Sequence, residues 1–384
     1  MQIPHEFDDI RPFTNEEISS VIDDLKTDVQ FQNITKYILP NVPFEQFIQI
    51  AKSCKTLLDL QKMFSYKFLQ GIISKCTDGI DMDSSAISNK GNYTFVSNHR
   101  DIVLDSGFLS ALLLDNGFAT TCEIAIGDNL LVYPWIEKLV RLNKAFIVRR
   151  SLSLRQQLLS SKQMSGYMHF AINEKKENIW IAQREGRAKD SNDRTQEAIL
   201  KMMTLNGKNS TKDKLKDLNI VPLTITYEFD PCDYLKAAEF QLKRDNPDYK
   251  KSQQDDLDNM KTGIYGYKGK VHYHCAPCLN EWLDTLDTDM PNTELFPLVA
   301  WHMDQQIHSS YQLYANNYIA ADMLERTGKY ESYYSVEQKE RFTNYLASQI
   351  EKINIPNPDV DFLRDKMLLM YANPLYNKLK VKQS

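Results

Sequence analysis

Six short apolar runs of β character, at residues 93–96, 121–126, 145–148, 179–182, 221–227 and 271–274, are spaced through the middle of the chain with helical stretches between most of them. That alternation constrains the fold more than any other feature. A strand that must cross over a helix before pairing again runs parallel to its neighbour, so the pattern predicts an α/β fold: a mostly parallel sheet flanked by helices. Only 13 of the 384 residues are glycine, which argues against turn-dense all-β designs and towards helices.

Outside this region the texture is helical. Thr14, Asn15, Glu16 and Glu17 have capping-box spacing ahead of Ile18, Val21, Ile22 and Leu25, which recur at three and four. From Phe44 to about Cys76 apolar residues keep helical spacing without a proline, as one long helical stretch that stops at Thr77-Asp78-Gly79. Residues 1–85 therefore read as a helical accessory domain, with the polar stretch 81–91 as its boundary. Residues 86–284 form the α/β domain, interrupted by a charged helical insertion at about 233–261. Residues 285–384 are a C-terminal helical extension with a second capping box at Ser335 to Gln338 and a basic end at Lys378, Lys380 and Lys382.

The charge balance, 46 Lys+Arg against 51 Asp+Glu for a net of -5, offers no basic face for nucleic acid. No stretch nears the roughly 18 apolar residues of a membrane span, and no secretory signal is expected at the start. The six cysteines are scattered and are expected to be reduced.

In α/β sheets the reactive side chains sit on loops at the carboxyl ends of strands. The first run leads into Asn98-His99-Arg100-Asp101, with Asp105 at the start of an apolar helix. A histidine there titrates near neutrality, and a carboxylate can fix its tautomer. The alternative is that His99 caps the helix and Asp105 is a solvated first-turn acid. The third run ends Arg149-Arg150-Ser151, whose guanidinium forks match phosphate. The fourth leads into Arg184-Glu185-Gly186-Arg187-Ala188-Lys189, where cations crowd a glycine turn suited to an anion. The fifth opens Ile220-Val221-Pro222-Leu223, a strand start with proline.

Taken together, the order of these blocks resembles the glycerolipid acyltransferases, the superfamily of glycerol-3-phosphate and 1-acylglycerol-3-phosphate O-acyltransferases. The likeness covers about residues 90–280. That family carries Asn-His-x4-Asp, Gly-x-x-Phe-Ile-x-Arg, Glu-Gly-Thr-Arg-like and Val-x-Pro-Val blocks. Here they correspond to Asn98-His99 with Asp105, residues 144–150, Glu185-Gly186-Arg187, and residues 220–223. Three departures stand out. The His99 to Asp105 spacing is x5, and Asp101 is a rival partner for His99. Aligning the second block on Arg150 puts Lys144 at the motif glycine, whereas aligning on Phe146-Ile147 makes Arg149 the motif arginine. In the third block Arg187 directly follows the glycine, one place early.

The resemblance implies that His99, oriented by Asp105, removes a proton from an acceptor hydroxyl, which attacks the thioester of acyl-acyl-carrier-protein or acyl-CoA. Arg149, Arg150, Arg187 and Lys189 would hold the acceptor's phosphate, with Glu185 and Gly186 shaping that loop. It implies a glycerol-phosphate or lysophospholipid acceptor, no metal or other cofactor, and peripheral contact with the inner face of the cell membrane from the cytoplasm. Residues 130–144 and the basic tail are the candidates for that contact, although residues 130–144 fit a helix packed on the sheet better. A lyso-amino-lipid acceptor, or a non-catalytic acyl- or phospholipid-binding module, is the alternative. His272, His274, Cys275 and Cys278 read as a strand with one buried face rather than a zinc site, since no second ligand pair accompanies them.

Overall fold

The structure, a computed structural model, describes residues 2–39, 41–150 and 152–382. The N-terminal helices are α1 (Ile18–Thr27), α2 (Val29–Ile38), α3 (Phe44–Ser53), α4 (Leu57–Leu60) and α5 (Tyr66–Cys76), with a π turn at Gln61–Ser65 between the last two. The stretch from Phe44 to Cys76 is thus broken rather than continuous. Cys54 takes extended backbone, and Thr56 and Asp59 form a capping box that starts the chain helical again. At the first predicted box only half the motif forms: Glu17 accepts from the Thr14 amide at 2.6 Å and binds Arg11, so α1 begins at Ile18.

A seven-stranded sheet follows, in the order β1-β7-β6-β2-β5-β3-β4. Its strands are β1 (Ile80–Asp83), β2 (Thr94–Ser97), β3 (Cys122–Gly127), β4 (Ala145–Val148), β5 (Asn178–Ala182), β6 (Ile220–Tyr227) and β7 (Val271–Cys275). Strands β2 to β6 are mutually parallel; β7 runs antiparallel to β6 and carries β1 beside it. β1 falls inside the polar stretch that the sequence reads as a boundary. It is an edge strand: Ile80 and Met82 pack on the core while Asp81 and Asp83 face His272 and His274 across the ladder. On β7, Tyr273 and Cys275 are buried on the other face, as the alternation predicts.

Helices cover both faces of the sheet. α6 (Leu104–Asp115) and α5 pack with Phe95, Trp180 and Leu223 on one face. α8 (Leu154–Phe170), α9 (Glu197–Met203) and α14 (Asn292–Ser309) pack with Val96, Ile179 and Ile181 on the other. Successive residues of central strands enter opposite cores, which is why those strands read as continuous apolar runs. The insertion forms α11 (Asp233–Asp245) and α12 (Gln253–Tyr265). The C-terminal extension adds α15 (Ala315–Glu325), α16 (Val336–Ile350), with the expected capping box at Ser335 and Gln338, and α17 (Val360–Val381). Among the described residues no helix is long and apolar enough to cross a membrane.

The extension grips the segment that leads into α11. Tyr371 of α17 donates to Asp233 at 2.8 Å, and Gln349 of α16 does so at 2.7 Å. Burial, and then the charge of Asp230, push the Asp233 carboxyl up to about 7, against the hydrogen bonds it accepts. A folded-state value above the unfolded one means a stability contribution that is fully present below pH 4 or so and is lost as pH rises through about 7. Asn has no such slope. Asp233→Asn is therefore expected to gain stability relative to the wild type between pH 5 and pH 8, measured by urea denaturation. A difference that does not change with pH contradicts this account.

Candidate active site

The site begins where β2 ends. The Asn98 side-chain amide accepts from the Ile225 N–H at 2.8 Å and donates to the Ile225 carbonyl at 2.9 Å, so a side chain continues the β2–β6 ladder after the strand has stopped. This fixes the chain direction at the next residue. His99 places Nδ1 2.8 Å from Asp105 Oδ2, and its ring lies edge-on to Trp180 with centroids 5.5 Å apart. With the Nδ1 proton given to the carboxylate, Nε2 keeps its lone pair, and it has no hydrogen-bond partner among the described residues. The His99 side chain is 13% exposed, so it is not sealed off from solvent.

Asp105 is fully buried in the first turn of α6. Its Oδ2 also accepts from the Arg100 N–H at 2.6 Å and the Asp101 N–H at 3.1 Å, and its Oδ1 accepts from the Tyr227 hydroxyl at 3.1 Å. The extra residue of the x5 spacing is absorbed in the turn before α6. There Asp101 Oδ1 accepts from the Val103 and Leu104 amides at 2.9 and 2.7 Å. Asp101 is thus the cap of the turn, and Asp105 is the partner of His99. Burial and the nearby Asp105 hold the Asp101 carboxyl above its usual range, while those amides and Arg187 pull it down.

The turn before β4 shows which alignment of the second block the backbone favours. Lys144, immediately before β4, is left-handed at φ 65, the conformation that glycine adopts without cost. That matches the alignment with Lys144 at the motif glycine and Arg150 as the motif arginine. Lys144 is kept there by burial and by bonds to Glu177 and Thr120 at 2.6 and 2.7 Å. Arg150 leans over the end of β3, where Gly127 leaves room: a Cβ at that glycine would lie 2.7 Å from the guanidinium Nε. It reaches the β5 loop, 3.6 Å from Glu185. Arg149 turns the other way, to Asp9 of the N-terminal segment at 3.4 Å. Ser151 lies outside the described residues.

In the β5 loop Gly186 is left-handed at φ 67, which allows the tight reversal. Arg187 donates through Nη2 to Asn259 of α12 at 2.9 Å, and its Nη1 is buried without a partner. Gln183 Nε2 and Arg184 Nε are likewise buried and unpartnered. Orphaned buried donors are costly, so three on one loop are suited to an anionic group that would complete them. Lys189 is not among them. It is bound to Glu239 of α11, which Lys243 also holds at 2.9 Å, and burial lowers its pKa.

The structure therefore brings His99 and Asp105 together, and Arg150 with Glu185; Arg187 is near enough to Asp101 to act on its carboxyl. It does not bring Arg149 or Lys189 to them. Sequence reasoning missed Tyr227, Trp180 and the pair formed by Arg100 and Asp193, joined at 2.6 Å, and gave Arg184 no role of its own. Only Arg184 carried a signal, as one more cation in the glycine loop.

The arrangement can take a proton from a hydroxyl at Nε2 and hold an anion on the neighbouring loops. The Acyltransferase family model matches residues 81–225. No curated protein gives a significant match. Three solved chains match, among them the crystal structure of the 1-acyl-sn-glycerophosphate (LPA) acyltransferase PlsC from Thermotoga maritima. It is 10% identical with a TM-score of 0.36, over 78% of this chain and 98% of that one. Residues 81–225, which run from β1 into β6 and carry the His99, Arg150 and Arg187 loops, are thus similar to an acyltransferase domain.

Proposed function

We propose that the chain is an O-acyltransferase that moves a fatty acyl group from a thioester of CoA or acyl carrier protein to a hydroxyl of a glycerol-phosphate or lysophospholipid acceptor. The observation that carries this reading is the His99–Asp105 contact with its unengaged Nε2, set beside a loop with unpartnered buried guanidinium nitrogens. His99 Nε2 takes the proton of the acceptor hydroxyl as its oxygen attacks the thioester carbonyl carbon. The tetrahedral intermediate collapses, the C–S bond breaks, and the thiol leaves with the proton returned from the imidazolium. Asp105 holds the ring and balances its charge. A thioester is already activated, so the residues supply proton transfer and positioning, worth about 10²–10⁴-fold for the base alone.

Arg187 and Arg150 are assigned to the acceptor's phosphate, with Gly186 and Glu185 shaping the loop between them. Arg149 and Lys189 are left out because Asp9 and Glu239 already engage them. Peripheral membrane contact is part of the same reading. The first turns of α8 expose Leu158 and Leu159, 59% and 60% accessible, beside exposed Arg155 and Lys162, a combination suited to an anionic lipid surface.

Thiol release from palmitoyl-CoA, with glycerol 3-phosphate or lysophosphatidate as acceptor, tests the reaction. His99→Ala is expected to lower kcat by about 10²–10⁴-fold. Acceptor-dependent release that persists in His99→Ala removes His99 from the mechanism, and ligand binding without turnover in the wild type leaves a binding module. Arg187→Ala is expected to raise the acceptor KM by about tenfold or more, the scale of one charged hydrogen bond, with little change in the thioester KM. An equal rise in both contradicts the phosphate assignment.

A further inference from the structure

Two independent clamps close on Arg100, the residue after His99. On the side-chain side, its guanidinium binds Asp193 at 2.6 Å, and Asp193 also receives the Tyr311 hydroxyl. On the backbone side, Lys236 Nζ donates to the Arg100 carbonyl at 3.2 Å and is paired with Asp230. Lys236 is 2% exposed, so its Nζ sits out of water and gives its hydrogen bonds to those two acceptors. Burial works against the Asp230 carboxylate, yet the Lys236 charge and hydrogen bond bring it below its usual range. The peptide group whose Arg100 carbonyl Lys236 holds carries the Asp101 N–H that donates to Asp105, next to the Arg100 N–H that does the same.

Asp230 and Lys236 are in turn held by the C-terminal helices. Tyr371 of α17 accepts from the Asp230 N–H at 3.0 Å while donating to Asp233, and Tyr345 of α16 donates to the Asp230 carbonyl at 3.2 Å. A continuous chain of hydrogen bonds therefore runs from α16 and α17, through residues 230–236, to the loop that carries His99. We infer that Lys236 is a positioning residue for the His99–Asp105 pair, and that the C-terminal helices serve the site by holding the segment that presents it.

This rests on the acyltransferase reading above, and the test separates the two. Removing Lys236 alone would strand the Asp230 charge, so the informative variant is Lys236→Met with Asp230→Asn, which removes both charges and keeps the acceptor that Asp230 offers the Cys232 N–H at 2.9 Å. Assayed below its melting temperature with palmitoyl-CoA and whichever acceptor the wild type uses, it is expected to lose about tenfold or more in kcat with both KM values within about twofold, since a small displacement of the base costs turnover rather than affinity. Tyr371→Phe, which removes the hydroxyl that joins α17 to Asp233, is expected to show a smaller loss of the same kind. A double variant with lowered melting temperature but kcat within about twofold of wild type gives Lys236 a purely structural role and overturns the inference. An equal rise in both KM values with kcat unchanged overturns it as well. A wild type without turnover refutes the acyltransferase reading instead.

Discussion

The buried carboxylate of Asp105 is the constraint on which the site is built. An ionised group taken fully out of water must be surrounded by donors, and four converge on it: the His99 ring, two consecutive amides of the His99 loop, and the Tyr227 hydroxyl from β6. Satisfying the charge and orienting the histidine are one structural event, because the loop that brings the amides also brings the ring. Tyr273, which donates to the Asp105 carbonyl at 2.9 Å, ties the same turn of α6 to β7.

Around that centre the sheet distributes the tasks by position. The loops after β2, β4 and β5 leave the same edge, but β3 lies between the last two. The β4 loop reaches the β5 loop past β3 because Arg150 is long and Gly127 is small where the two cross. The insertion then closes the other side, through Asn259 of α12 on Arg187 and Lys236 of α11 on Arg100, and the C-terminal helices hold its start through Asp230 and Asp233. Parts of the chain that look accessory in sequence thereby reach the residues next to His99.

What could be read beforehand followed local rules. Apolar runs of four to seven residues gave the strands of the parallel part closely, and the Ser335 box gave the start of α16. β1 was missed because its two outward aspartates make a four-residue edge strand look like a linker; only β7 beside it supplies partners. The long N-terminal helix was overextended because apolar periodicity continues through Cys54, where the backbone turns out of the helix. His99 and Asp105 were legible as a pair, but the choice between Asp101 and Asp105 depended on how a turn absorbs one residue, which spacing cannot state.

By itself, then, the sequence determined the α/β class, the order of the strand-end blocks and the residue types able to move a proton or hold an anion, because these depend on short-range pattern and side-chain chemistry. Tertiary structure decided where the cations go: Arg149 and Lys189 are engaged by Asp9 and Glu239 from distant segments, and Arg150 reaches Glu185. It also decided which carboxylate faces the histidine, and that Lys236, 136 positions beyond Arg100, reaches the loop that carries His99. Those outcomes turn on burial and on contacts between residues far apart in the chain, where the cost of leaving a charge or a donor unpaired selects the partner.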